Sequence, residues 1–199
     1  MQNRLLYCSI LSIALISACA TKPPEAAAQR IVMLGDSLTH GNQWGNTFPA
    51  CEVLDMGVSG SKVEDIENRL AQVSAAKPDV VFVMMGTNNI WRGQTVDETL
   101  VKYQRVLTKL TSLTPRVIAL KVPEASDGMP DYAKYNQSIQ QLNAGIAEIS
   151  QKSSIDFVDP GIDGADIQYL RVKDGVHLQK PAYNLWSKKI SSLVTCAKR

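Results

Sequence analysis

Five short apolar runs alternate along the chain with longer amphipathic stretches. The runs cover residues 31–34, 53–54, 79–85, 116–120 and 155–158, and glycine, proline or aspartate stands at or near the end of each. The longer runs are continuously hydrophobic rather than alternating, which is typical of parallel strands buried on both faces. The pattern therefore predicts five strands in a parallel sheet.

Between the runs, apolar side chains recur at spacings of three and four residues, as they do along one face of a helix. The positions are Val63, Ile66, Leu70 and Val73; Tyr103, Val106, Leu110 and Leu113; Tyr135, Ile139, Leu142, Ile146 and Ile149; and, after Pro181, Ala182, Trp186, Ile190 and Leu193. Strands that alternate with such helices predict a single α/β domain. We expect a three-layer α/β/α sandwich around the five-stranded sheet.

Composition narrows the classes of partner and cofactor. The net charge of +2 comes from 21 basic and 19 acidic residues, which gives no electrostatic reason to expect a nucleic acid partner. Two histidines and four scattered cysteines are too few to favour a zinc cluster. No glycine-rich nucleotide-binding loop follows any predicted strand. We therefore expect no metal and no cofactor.

The first residues have the pattern of an export signal. Arg4 is followed by an apolar run to Ile16, which is shorter than the roughly 20 residues of a membrane span. The run ends in Ile16-Ser17-Ala18-Cys19, which resembles the lipobox of bacterial lipoproteins. The resemblance implies a signal over 1–18, a lipid on Cys19 and, because Ala20 follows, the outer membrane of a Gram-negative envelope.

The rest of the N-terminal segment is predicted to be a tether, so that 19–29 links the lipid to a domain over 30–199. A plain signal peptide with an incidental Cys19, giving a soluble periplasmic or secreted protein, is the alternative. Export to an oxidising compartment would allow Cys51 and Cys196 to form a disulfide. Two buried free thiols remain the other interpretation of that pair.

Four tetrapeptides carry the candidate chemistry, and three of them follow predicted strands, where α/β sheets bind ligands. They are Gly35-Asp36-Ser37-Leu38, Gly57-Val58-Ser59-Gly60, Gly86-Thr87-Asn88-Asn89 and, before the last helix, Asp174-Gly175-Val176-His177. In this order they resemble the four blocks of the SGNH (GDSL-type) hydrolase family. The resemblance runs from about residue 30 to the last helix and implies a flavodoxin-like fold and a metal-independent serine esterase. The segment from Trp44 through Phe48-Pro49 to Gly60 also resembles the branch of platelet-activating-factor-type acetylhydrolases and bacterial acetylesterases.

The resemblance implies that Ser37 is the nucleophile and that the oxyanion donors are the N–H groups of Ser37 and Gly60 and the amide of Asn88. A serine hydroxyl needs a base to take its proton, and histidine is suited to neutral pH. Asp174, three residues before His177, can accept the Nδ1 proton and leave Nε2 facing the serine. The other histidine, His40, has no carboxylate that the sequence places beside it, and we expect no role for it.

Four further residues in these blocks have structural interpretations. We expect Gly57 to be a turn glycine, Asp36 to brace a loop and Asn89 to be an ordinary turn residue. The family often has Asp where this chain has Asn89, and Asn where it has Asp55. Neither position is one of the four residues for which the family is named.

The expected function is hydrolysis of short-acyl esters, such as acetyl esters, through an acyl-enzyme, with the ester carried on a glycan or a lipid. The irregular segments 38–50 and 159–173 would shape the pocket, and no large insertion provides a lid for a long acyl chain. A lysophospholipase or thioesterase that acts on longer chains is the enzymatic alternative. A non-catalytic envelope lipoprotein that binds glycan or a partner protein is the alternative from another class.

Overall fold

The computed structural model of the protein describes residues 29–164 and 166–196. The predicted export signal, Cys19 and nearly all of the tether lie outside these residues. No helix within the two ranges combines the length and the apolar character that crossing a bilayer requires.

The sheet contains the five predicted strands, all of them paired in parallel. They are β1 (Arg30–Gly35), β2 (Glu52–Gly57), β3 (Val80–Val83), β4 (Arg116–Leu120) and β5 (Asp156–Val158), in the spatial order β2-β1-β3-β4-β5. The three inner strands are almost wholly buried and the two edge strands are partly exposed. This difference explains why the inner strands have the longer apolar runs.

Helices cover both faces of the sheet. They are α1 (Ser37–His40), α2 (Val63–Glu67), α3 (Leu70–Ala76), α4 (Thr87–Trp91), α5 (Val96–Thr111), α6 (Tyr132–Lys152), α7 (Ile167–Leu170) and α8 (Lys180–Ser191). The connections after β2, β3 and β4 all step in the same direction, so right-handed crossovers put α2, α5 and α6 on one face, where they pack side by side. The β1–β2 connection steps the other way and shares the opposite face with α8. The predicted three-layer α/β fold is confirmed.

Aromatic side chains fill the layer between the sheet and α8. The rings of Trp44 and Trp186 lie edge to face, 4.9 Å apart, and Phe48 stacks on Phe82 of β3 at 5.6 Å. Beside this layer, Cys51 and Cys196 form a disulfide that ties the start of β2 to the segment after α8. The disulfide interpretation of this cysteine pair is therefore confirmed, and the free-thiol alternative is not.

The short helices differ from the prediction. The predicted single helix over 63–73 is divided at Asn68 and Arg69 into α2 and α3, and the irregular segment 38–50 contains part of α1 and a 3₁₀ turn over Trp44–Asn46. The sequence pattern did not predict α1, α4 and α7. Each of them has only four or five residues, too few for a period of 3.6 to repeat.

Candidate active site

Ser37 lies at the end of a central strand because the chain turns sharply from β1 into α1. Asp36 caps this helix, and its carboxylate accepts a hydrogen bond from the N–H of Leu38 at 2.9 Å. The strand order reverses between β1 and β3, which is where ligands bind in open α/β sheets. Ser37 follows one of these two strands and Asn88 follows the other.

His177 connects Ser37 to Asp174 although 140 residues separate it from the serine. Its Nε2 lies 3.0 Å from the Ser37 Oγ, and its Nδ1 lies 2.6 Å from the Asp174 Oδ2. The first distance is within the range expected for a hydrogen bond between a nucleophile and its base. The second is within the range for a base and the carboxylate that orients it. The histidine and aspartate side chains are about half exposed, so a substrate can approach them.

Asp174 is held by its own loop. Its Oδ1 accepts hydrogen bonds from the N–H groups of Val176 and His177, at 2.8 and 2.9 Å. Partial burial alone would raise the pKa of the Asp174 carboxyl, but the His177 ring and these two N–H groups outweigh it and hold the pKa below its usual value. The carboxylate is therefore ionised at neutral pH, which is the form that stabilises a protonated imidazole.

Gly60 lies in the loop after β2, and Asn88 lies in α4, which follows β3. The Asn88 Nδ2 donates to the carbonyl of Ser61 at 3.0 Å and lies 3.5 Å from the Asp36 Oδ2. Gly60 precedes Ser61 and has a φ of +76°, a conformation that side chains disfavour. Within the described ranges, the backbone N–H groups of Ser37 and Gly60 donate to no protein acceptor.

One cavity of about 590 Å³ gathers most of the predicted site. Its wall includes Ser37, Asn88, Asp174 and His177, and Gly60 is not among the residues that line it. No group of three or more histidine, cysteine or acidic side chains in the described part of the chain is placed to hold a metal ion.

Comparison with known proteins agrees with this arrangement. The model of the GDSL-like lipase/acylhydrolase family matches residues 33–185. The chain belongs to this family. An acetylxylan esterase from Geobacillus stearothermophilus is 28% identical over 118 residues, a match that covers 54% of this chain and 53% of that protein. The chain thus matches about half the length of this curated relative.

Solved structures of GDSL-type proteins share the fold. A GDSL-like lipase from Bacteroides thetaiotaomicron is 23% identical, with a TM-score of 0.72 over 83% of this chain and 87% of that one. The crystal structure of an acetylxylan esterase from Geobacillus stearothermophilus is 18% identical, with a TM-score of 0.66 over 81% and 92%. At these identities the likeness shows the fold alone.

Asn89 has a larger structural role in this GDSL-type chain than the sequence predicted. It is fully buried inside α4, where the Oδ1 accepts from the Val63 N–H at 2.9 Å and the Nδ2 donates to Glu64 at 2.9 Å and to Gln94. The prediction of an ordinary turn residue is therefore wrong. Asn89 fixes α4, and with it Asn88, against the start of α2.

Two other predictions about the strand-end loops need correction. The His40 Nδ1 lies 3.2 Å from the Asp55 Oδ2, so this histidine does have a carboxylate beside it. The sequence did not show it because Asp55 comes from the neighbouring strand. Gly57 is the last residue of β2 rather than a turn glycine, and a side chain there would collide with the backbone of His40. Asp36, by contrast, does brace its loop as expected.

Arg171 supports the loop of Asp174 and His177 and was not singled out from the sequence. Its side chain is fully buried and donates to the carbonyls of Glu124 and Ile162 and, at 2.8 Å, to the carboxylate of Asp163. Its backbone forms an antiparallel bridge with Leu178, at the other end of the loop. A lone arginine in a polar segment gives no sequence signal of such burial.

Proposed function

We propose that this GDSL-type chain is a serine esterase that hydrolyses short-acyl esters, such as acetyl esters on a glycan, through an acyl-enzyme. The observation that carries the proposal is the continuous chain of contacts from the Ser37 Oγ to the His177 Nε2 and from the His177 Nδ1 to Asp174. The acetylxylan esterase among its relatives supports an acetylated glycan as the substrate class.

In this mechanism, His177 Nε2 takes the hydroxyl proton while Ser37 Oγ attacks the ester carbonyl carbon. Asp174 holds the Nδ1–H and stabilises the imidazolium that forms. The tetrahedral oxyanion is bound by the N–H groups of Ser37 and Gly60 and by the Asn88 amide, each worth about 2.7–4 kcal/mol where measured in other enzymes. His177 then gives its proton to the leaving alkoxide, and the acyl group stays on Ser37.

Deacylation repeats these steps with water as the nucleophile. His177 deprotonates the water, the hydroxide attacks the acyl carbonyl, and the proton returns to the Ser37 oxygen as the carboxylic acid leaves. The half-exposed His177 side chain lets water reach the Nε2 that must activate it.

The test uses the purified domain with p-nitrophenyl acetate and p-nitrophenyl octanoate. Wild type should hydrolyse the acetate in the presence of EDTA, and Ser37→Ala should lose at least about 10³-fold in kcat. Equal activity of wild type and the folded Ser37→Ala variant would overturn the esterase proposal. A clear preference for octanoate would instead favour the lysophospholipase or thioesterase alternative.

We also propose that the protein is exported and anchored to the bacterial envelope by a lipid on Cys19. The Cys51–Cys196 disulfide supports export, because such bonds persist in oxidising compartments. Cys19→Ser in the full chain should move the protein from the membrane fraction to the soluble fraction. An unchanged distribution would contradict the lipid anchor.

A further inference from the structure

Two cavities meet at Trp91. This side chain lines the cavity of about 590 Å³ that contains Ser37, and it also lines a neighbouring cavity of about 450 Å³. Trp91 is 52% exposed, whereas the other two tryptophans, Trp44 and Trp186, are buried. An exposed tryptophan face at the join of two cavities is typical of a ligand platform rather than of a core contact.

The short helix α4 fixes the platform relative to the reacting atoms. Asn88 and Trp91 are three residues apart, so they lie on the same side of α4, about 4.5 Å apart along its axis. Asn89 and Ile90, between them in the sequence, are buried. Because Asn89 bonds to Val63 and Glu64, the helix cannot turn without breaking those contacts. The ring is thus held next to the proposed oxyanion donors.

The second cavity has a mixed lining. Its polar residues are Gln94, Asp131, Lys134 and Ser138, and its apolar surface includes Ile90, Met129 and Pro130 beside Trp91. Asn89 holds the Oε1 of Gln94, and the Nε2 of that amide donates to no protein group in the described ranges. An alkyl chain placed here would strip water from these groups without replacing its hydrogen bonds. A sugar ring offers both an apolar C–H face for the indole and hydroxyls for the polar rim.

We propose that Trp91 is the platform of a second sugar subsite, so that the substrate is a chain of linked sugars. The acylated sugar lies at Ser37, and the next sugar packs on Trp91 and extends towards Gln94 and Lys134. This inference rests on the proposed esterase function and specifies its substrate class. Trp91 binds the part of the substrate that does not react, and so it contributes affinity and chain-length preference.

The test compares mono-O-acetylated xylotriose and 6-O-acetylated chitotriose with the matching acetylated monosaccharides. Wild type should show a kcat/KM at least about tenfold higher for one or both trisaccharides than for the corresponding monosaccharide. Trp91→Ala should reduce that ratio to about one, mainly through KM, and Trp91→Phe should retain part of it. Tyr169→Ala, which removes another exposed aromatic ring on α7, should leave the ratio unchanged.

Binding separates this inference from the esterase proposal. Ser37→Ala should bind at least one of the two acetylated trisaccharides in calorimetric titrations, and Ser37→Ala/Trp91→Ala should bind it at least about tenfold more weakly. That result would support the subsite even if p-nitrophenyl acetate were not hydrolysed. The subsite is overturned if the two variants bind both trisaccharides equally, if an active wild type prefers neither trisaccharide, or if Trp91→Ala keeps the preference.

Discussion

The carboxylate of Asp36 accepts a hydrogen bond from the backbone N–H of Leu38 at 2.9 Å, in a position with no solvent exposure. This contact starts α1 and places Ser37 on the first turn, beside His177. Burial raises the pKa of the Asp36 carboxyl from 3.8 to about 6, although the Leu38 N–H opposes the rise. The fold therefore holds an ionised carboxylate at neutral pH at a cost in stability.

That cost gives a pH-dependent prediction for Asp36→Asn. Because the folded pKa is above the unfolded value, the contribution of Asp36 to stability is fully present below pH 3.8 and is lost as the pH rises through about 6. The lost contribution is on the order of 3 kcal/mol. In urea unfolding, the free energy of unfolding of Asp36→Asn relative to wild type should increase by up to this amount between about pH 4 and pH 8. A difference that is independent of pH would contradict the prediction.

The adjacent asparagines should give opposite signatures when replaced by alanine. Asn88→Ala should lower kcat by about 10²–10³-fold with a smaller change in KM and little change in stability, because the proposed mechanism uses its amide to stabilise the oxyanion. Asn89→Ala should lower the free energy of unfolding by about 1–3 kcal/mol, because it leaves the buried N–H of Val63 without an acceptor. Steady-state kinetics and urea unfolding of both variants check this, and matching profiles would contradict it.

Arg171→Lys should weaken the loop that carries Asp174 and His177. Lysine keeps the charge but cannot reach Glu124, Ile162 and Asp163 together, so we expect a loss of about 2–4 kcal/mol in unfolding free energy. The kcat should fall as well, even where the variant is fully folded. The matched control is Arg116→Lys, whose half-exposed ion pair with Asp156 should contribute less than about 1 kcal/mol. Equal losses for the two variants would argue against the anchoring role.

The disulfide should stabilise the domain substantially. It joins residues 145 positions apart, so its removal frees a long loop in the unfolded chain. Cys51→Ser/Cys196→Ser should lower the free energy of unfolding by about 2–5 kcal/mol. Dithiothreitol should destabilise wild type by a similar amount and leave the double variant unaffected. A double variant as stable as oxidised wild type would refute this prediction.

Much of the fold could be predicted because its inner strands are buried on both faces. The strand over Val80–Val83 is wholly apolar and lies within the run 79–85 that predicted it, and Pro181 lies in the first turn of α8. The same reasoning failed for α4, whose five residues are too short for a helical period, and for Asn89, whose partners come from another helix. The local hydrophobic pattern indicates which face of an element is buried, but it does not indicate which residues of other elements contact that face.

The sequence by itself determined the parallel α/β sheet, the strand ends that carry the polar residues, and the candidate set of Ser37, Asn88, Asp174 and His177. The sheet and its strand ends follow from hydrophobic periodicity, whereas the candidate set follows from the resemblance to the SGNH family together with the chemistry of serine, histidine and aspartate. Only the tertiary structure decided that His177 lies 3.0 Å from Ser37, that Asp55 lies beside His40, and that Trp91 lies between two cavities. Those distances depend on how distant segments pack, because chain folding, and not sequence separation, brings such groups within reach of one another.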